Sequence, residues 1–175
     1  KYQYSKAIKY GEKYLKTKGM SLNELMASKD PVEKVLEKKL SKKDVRSIFY
    51  IGQAIAGLVN LEKSNVELVG QLPLAKSFVD WSCQKNPLLD NGACSFFNAL
   101  YEMNRPSILG GKPEEGKLIL EKFIKDNPLN LLAQVLYLQY WIIPRGLEDE
   151  FKASSENLEN EFKEFSALET WSMGA

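Results

Sequence analysis

Few side chains in this 175-residue chain could do chemistry. It has no histidine, which removes the commonest general base and the commonest metal ligand. Its two cysteines, Cys83 and Cys94, are too few for a structural zinc site. Carboxylates cluster at Glu114-Glu115, Glu121 and Asp126, on an amphipathic pattern whose first-turn acids suit a helix dipole. Glu148-Asp149-Glu150 lacks the alternating spacing and central glycine of a calcium loop. Gly110-Gly111 precedes a helical pattern, but no Gly-Lys-Ser/Thr follows to make a phosphate loop. No nucleophile is paired with a base, so we expect no enzyme, no metal and no cofactor.

Aromatic residues offer more. Tyr50, Trp81, Phe96, Phe97, Tyr101, Tyr137, Tyr140 and Trp141 fall on helical patterns with apolar neighbours. Any one of them is explained by core packing. Together they could line the concave face that stacked helical hairpins create. Tyr50, Trp81, Phe96, Tyr101, Met103, Tyr137, Tyr140 and Trp141 are therefore the candidate ligand-binding residues, for a hydrophobic small molecule or lipid, or for a partner's peptide.

The elements that would position them read as helices throughout, without a convincing period-2 run. A first helix is expected over Tyr2–Lys18, and Ser21 with Glu24 makes a capping box for a short one. Asp30-Pro31 reads as N-cap and first residue of a helix to Leu40. Ser41 should cap a long helix to about Lys63, apolar on more than one face and hence central, with Asp44 at its third position. Gly52, Ala56 and Gly57 on it suit close helix crossing. The apolar stretch Leu131–Ile143 contains Gln134 and Gln139 and is too short to span a membrane, which takes about 20 apolar residues; it reads as a buried core helix.

An internal repeat organises the second half. Asn86-Pro87 and Asn127-Pro128 align at one offset, which also places Ala75 on Gly116, Val79 on Leu120, Phe96 on Tyr137 and Leu100 on Trp141. Each copy is helix, Asn-Pro stop, helix, with a small residue before the proline where paired helices can cross. This is tetratricopeptide-like grammar with a longer period. The excess sits in the loop Asn104–Pro113, where Arg105, Ile108 and Leu109 offer one charge and two apolar anchors for a partner or a second copy.

We therefore expect an all-α chain of TPR-like antiparallel hairpins forming a single domain. Its parts would be basic N-terminal helices over 1–40, a helical-repeat core over 41–143 and an acidic helix over 144–175. Net charge is +1, yet residues 1–46 carry thirteen Lys/Arg against six Asp/Glu, and residues 145–175 three against eight. These are solvated faces or, for the first, a surface for an acidic partner. Without an arginine cluster interleaved with aromatics, no nucleic acid is expected.

The stretch from Ser41 to about Phe162 resembles the T component of tripartite ATP-independent periplasmic (TRAP) transporters, the TatT lipoproteins. The resemblance rests on Lys43-Asp44-Val45 leading into a long apolar helix, the Asn86-Pro87 junction and Gly92 opening the next helix. It continues with Leu109-Gly110-Gly111-Lys112-Pro113-Glu114 and with the opening Asn130-Leu131-Leu132-Ala133-Gln134-Val135-Leu136-Tyr137. It implies a periplasmic scaffold that associates with a substrate-binding P component, helps deliver a hydrophobic ligand and forms homo-oligomers, trimers in that family. Membrane attachment would run through a lipid anchor outside this chain, before Lys1. A general TPR-like interaction scaffold with no transport role is the alternative.

Cys83 lies in the last turn before Asn86-Pro87 and Cys94 in the first turn of the next helix, so a disulfide is within reach across an antiparallel hairpin. The periplasmic setting that the resemblance implies would oxidise it. Two buried thiols are the alternative, since the repeat places apolar Ile124 and Val135 at the same positions.

Overall fold

A computed structural model describes the backbone of residues 1–172 and side chains to residue 163; the last three residues of the expected acidic C-terminal helix lie outside the described residues. Every regular element among them is a helix. In order these are α1 (Tyr2–Thr17), α2 (Leu22–Met26), α3 (Val32–Lys39), α4 (Val45–Leu61), α5 (Val66–Val69), α6 (Leu72–Lys85), α7 (Ala93–Asn104), α8 (Pro113–Asp126), α9 (Leu131–Tyr137), α10 (Ile143–Arg145) and α11 (Glu148–Ser172). The chain divides into two compact units, Lys1–Cys94 and the part from Ser95 onward. No helix among the described residues is long and apolar enough to cross a membrane.

The first unit is built on α4, which buries Ile48, Phe49, Ile51, Ala54, Ile55, Leu58 and Val59. So many apolar positions span several faces, and α1 and α6 both pack on it. Close approach decides where. A Cβ at Gly52 would lie 2.7 Å from the Ala75 carbonyl oxygen and 3.0 Å from Phe78 Cβ, so α4 and α6 meet backbone to backbone there. The Tyr4 ring lies over Gly57, 2.6 Å from where a Cβ would sit, and Gly11 gives the same room to Ile51. The helix-weakening cost of each interior glycine, about 1 kcal/mol, is offset by these contacts. Ser82 is wholly buried on α6, its hydroxyl 2.8 Å from the Phe78 carbonyl and 3.1 Å from that of Val45.

Several boundaries differ from the sequence expectation. α1 ends at Thr17 rather than Lys18. Pro31, not Asp30, is the N-cap of α3; Asp30 is held in a turn by the Ser28 hydroxyl, and Leu40 is already extended. α4 does not begin at Ser41: a 3-10 turn at Lys42–Asp44 intervenes, and the helix stops at Leu61. The tighter turn lets the Asp44 carboxylate reach back to the Ser41 amide at 2.8 Å and its hydroxyl at 3.0 Å. The 144–175 helix starts only at Glu148, because Gly146 takes a left-handed conformation with φ 63°.

In the second unit, Ala99, Leu120 and Ala133 form one buried cluster, and Leu138, Trp141 and Ile142 another. Met103 and Tyr137 pack against both. A Cβ at Gly116 would lie 2.5 Å from the Ala99 carbonyl oxygen. The small residues of the two repeat copies thus each face an earlier helix of their own unit, Ala75 against α4 and Gly116 against α7. Leu131–Ile143 is not one buried regular helix. Residues Leu138–Ile142 form a π-helical turn between α9 and α10, and Leu132, Val135 and Ile143 are each more than 40% exposed. Pro144 accounts for the wide turn: it has no N–H, and its ring would clash with the carbonyl four residues earlier in a regular helix.

Candidate functional site

The loop between α7 and α8 is ordered by one ion pair. Arg105 donates through Nη2 to both carboxylate oxygens of Glu102, at 3.0 and 2.8 Å, and through Nη1 to the Leu109 carbonyl at 3.0 Å. Its guanidinium also lies 4.7 Å from the centre of the Tyr101 ring. Glu102 in turn accepts the Lys112 amide at 3.2 Å, so one carboxylate holds both ends of the loop. The interaction with Glu102 raises the Arg105 pKa, against the opposing effect of burial.

Backbone chemistry completes the brace. A 3-10 turn at Ser107–Leu109 starts after Pro106, whose carbonyl accepts from the amides of Leu109 at 2.8 Å and Gly111 at 3.1 Å. Gly110 has φ 80°, a region that favours glycine. At Gly111 a Cβ would fall 1.8 Å from the Arg105 carbonyl oxygen, so no other residue fits without moving the loop. The consequence is presentation: Ile108 is 94% exposed and Leu109 46%. Arg105, expected to project a charge toward a partner, is instead folded into the loop as its clamp. Its fixed donors find carboxylate and carbonyl three and four residues away.

The eight candidate ligand-binding residues are divided between the two units. Tyr50 and Trp81 belong to the first unit. Tyr50 is 43% exposed and donates its hydroxyl to Asp90 at 2.6 Å; that bond raises its pKa. Trp81 is 1% exposed, with Nε1 donating to Glu37 at 3.0 Å, so it is a core residue and lines no open face. Glu37 also pairs with Lys85 at 2.6 Å, joining α3 to α6, and this interaction lowers its pKa.

The other six lie in the second unit. Phe96 meets Phe123 edge to face at 4.9 Å, and Met103 and Tyr137 link the two buried clusters. Burial raises the Tyr137 pKa, reinforced by the hydroxyl's 2.9 Å bond to Glu121. Trp141 is 5% exposed, with the Arg145 guanidinium 3.4 Å from its ring centre and the Lys117 ammonium 5.1 Å from it. Phe96, Tyr101, Met103, Tyr137 and Tyr140 keep part of their surface in solvent.

Two surface depressions lie elsewhere. One of about 650 Å³ is lined by Asn127–Leu131 at the α8–α9 junction, and one of about 460 Å³ by residues including Lys42, Lys43, Arg46, Lys85 and Asp90. Among the described residues no group of three or more His, Cys, Asp or Glu could hold a metal ion. Three acids of α8 are in ion pairs one turn long, Lys112–Glu115, Lys117–Glu121 and Lys122–Asp126.

The disulfide expected between Cys83 and Cys94 is present in the first unit, with Cα atoms 5.8 Å apart. The buried Asp44 gathers the Tyr14 hydroxyl, the Lys18 ammonium at 2.6 Å and the Ser41 amide. Burial pushes this carboxyl up, but those partners together outweigh it and hold its pKa well below the usual carboxylate range. The capping box was legible from Ser41 and Asp44; the partners from α1 were not, because nothing local points to them.

A family model described as TRAP transporter T-component matches residues 1–160, extending the likeness through the basic N-terminal helices. No curated protein and no solved structure matches the chain.

Proposed function

Because the chain belongs to the TRAP transporter T-component family, we propose that it serves such a system in the periplasm as a helical scaffold binding the substrate-binding P component, and that the braced loop Asn104–Pro113 makes the contact. The observation that carries this reading is the 94% exposure of Ile108 on a loop that Arg105, Glu102 and Gly111 hold in one shape. An apolar side chain held out by polar bonds gives the fold nothing. A rigid apolar knob gives a partner a contact with little ordering cost.

The same loop could join copies of this chain, and the two uses separate in one experiment. Ile108→Ser with Leu109→Ser should weaken capture of the P component of the same transport system about tenfold or more. Sedimentation of the variant alone reads self-association. If neither changes, the loop is not the contact. A hydrophobic ligand is the second part of the proposal. It falls on the half-exposed Phe96, Tyr101, Met103, Tyr137 and Tyr140 rather than on buried Trp81 or Trp141. Mass spectrometry of molecules co-purifying with the protein tests it: no apolar molecule retained at native conditions removes that part.

A further inference from the structure

The outer face of α1 is made of lysine and tyrosine, with Thr17 at its C-terminal end. At about 100° per residue, Tyr2, Lys6, Lys9, Tyr10, Lys13 and Lys16 fall within roughly 120° of one another. All six are exposed, Tyr2 by 71% and Tyr10 by 58%. The opposite side carries Gly11 and Leu15 and is buried against the first unit. Lysines at the two ends behave differently from those four: Lys1 pairs with Glu62 at 2.7 Å and Lys18 with Asp44 at 2.6 Å. Lys6, Lys9, Lys13 and Lys16 pair with no carboxylate among the described residues, and Glu12, the single acid on α1, lies at the margin of the face.

Other helices of the chain treat lysine differently. Lys76–Asp80 on α6, Lys122–Asp126 on α8 and Glu159–Lys163 on α11 each place an acid one turn from the cation. On α1 two of the four have a tyrosine there, Lys6 5.9 Å from the Tyr2 ring centre and Lys13 5.4 Å from that of Tyr10, while Lys9 and Lys16 have Glu12 one turn away. Both tyrosines keep more than half of their surface in solvent.

From this face we infer that α1 lies along an anionic lipid surface. Lysine ammonium groups attract acidic headgroups, and their stems bury while the charge stays in water. Tyrosine is favoured at the headgroup level because its ring is apolar and its hydroxyl is not. A docked protein is the poorer fit. Protein interfaces centre on desolvated apolar anchors and are depleted in lysine, and this face has four lysines with no aliphatic side chain among them. The inference needs nothing from the transport reading, since it rests on α1 alone.

The experiment is cosedimentation of the 175-residue protein with vesicles of phosphatidylcholine alone and with about 30% phosphatidylglycerol added. We expect partitioning about tenfold or more higher on the anionic vesicles, falling as salt is raised. Replacing Lys6, Lys9, Lys13 and Lys16 together with Gln should return it to the neutral-vesicle level. Tyr2→Ser with Tyr10→Ser should lower it about threefold without changing the salt dependence. Neither variant should shift the thermal melt, since these side chains are exposed. Equal partitioning on both vesicles, or unaltered binding of the Gln variant, overturns the inference. So does wild-type protein that ignores vesicles but binds poly-glutamate, which would make the face a site for an acidic protein.

Discussion

Asp44 and Glu102 are carboxylates near helix ends, each bonded to a cation and to a backbone amide, and they do different things. Asp44 draws Tyr14 from α1, thirty residues away, and Lys18 from just past its end, and is 4% exposed. Its bonds join α1 to the start of α4. Glu102 finds its partners locally, Arg105 three residues on and the Lys112 amide ten residues on. Its bonds shape a loop and leave Ile108 outside. The same chemistry therefore stabilises the fold where its partners are distant and presents a surface where they are near.

Four perturbations would break or sharpen that contrast. The largest effect is expected in the first unit, at the disulfide. Cys83→Ser with Cys94→Ser opens a link spanning a sequence separation of 11, and loop-closure entropy puts the loss at about 3 kcal/mol. Urea unfolding with and without reductant reads it, and wild-type protein should show the same loss on reduction. Asp44→Ala should come next, at about 2 kcal/mol, because it removes the buried acceptor shared by the Tyr14 hydroxyl and the Ser41 amide. Glu102→Ala in the same assay should lie within about 1 kcal/mol of wild type; an equal loss at both would dissolve the contrast.

The third concerns pH. The Asp44 pKa is lower folded than unfolded, where an aspartate titrates near about 3.9. Its contribution is therefore complete above that unfolded value and is lost as pH falls through the folded one. Urea midpoints of wild type and Asp44→Asn should differ most near neutrality and converge below about pH 4. A gap that widens in acid would reverse the assignment. The smallest global effect belongs to Arg105→Ala, within about 1 kcal/mol, yet it should raise hydrogen exchange at the Leu109 and Gly111 amides about tenfold or more by releasing the loop. Unchanged exchange there would mean the backbone turn needs no clamp.

Local order carried most of the helix assignments. Asn86 and Asn127 end α6 and α8 because each precedes a proline, a restriction that acts between neighbours. The Ser41–Asp44 box, the loop limits at Asn104 and Pro113, and the small residues Gly52 and Gly116 were legible for the same reason. Local order misled where a distant group or a later residue intervened. Pro144 widens a turn that begins before it, so the apolar pattern of Leu131–Ile143 predicted a buried regular helix in place of a broken, half-exposed one.

What the sequence determined alone is the all-helical class, the joints and the family, because caps, prolines and apolar periodicity act within a few residues. Tertiary structure decided which candidate residues face solvent. Trp81 sits in the core on Glu37, Tyr50 is held outward by Asp90, and Arg105 turns inward while Ile108 stays out. Side-chain exposure depends on what packs opposite, and apolar periodicity marks the face that will be covered without saying by what or how completely.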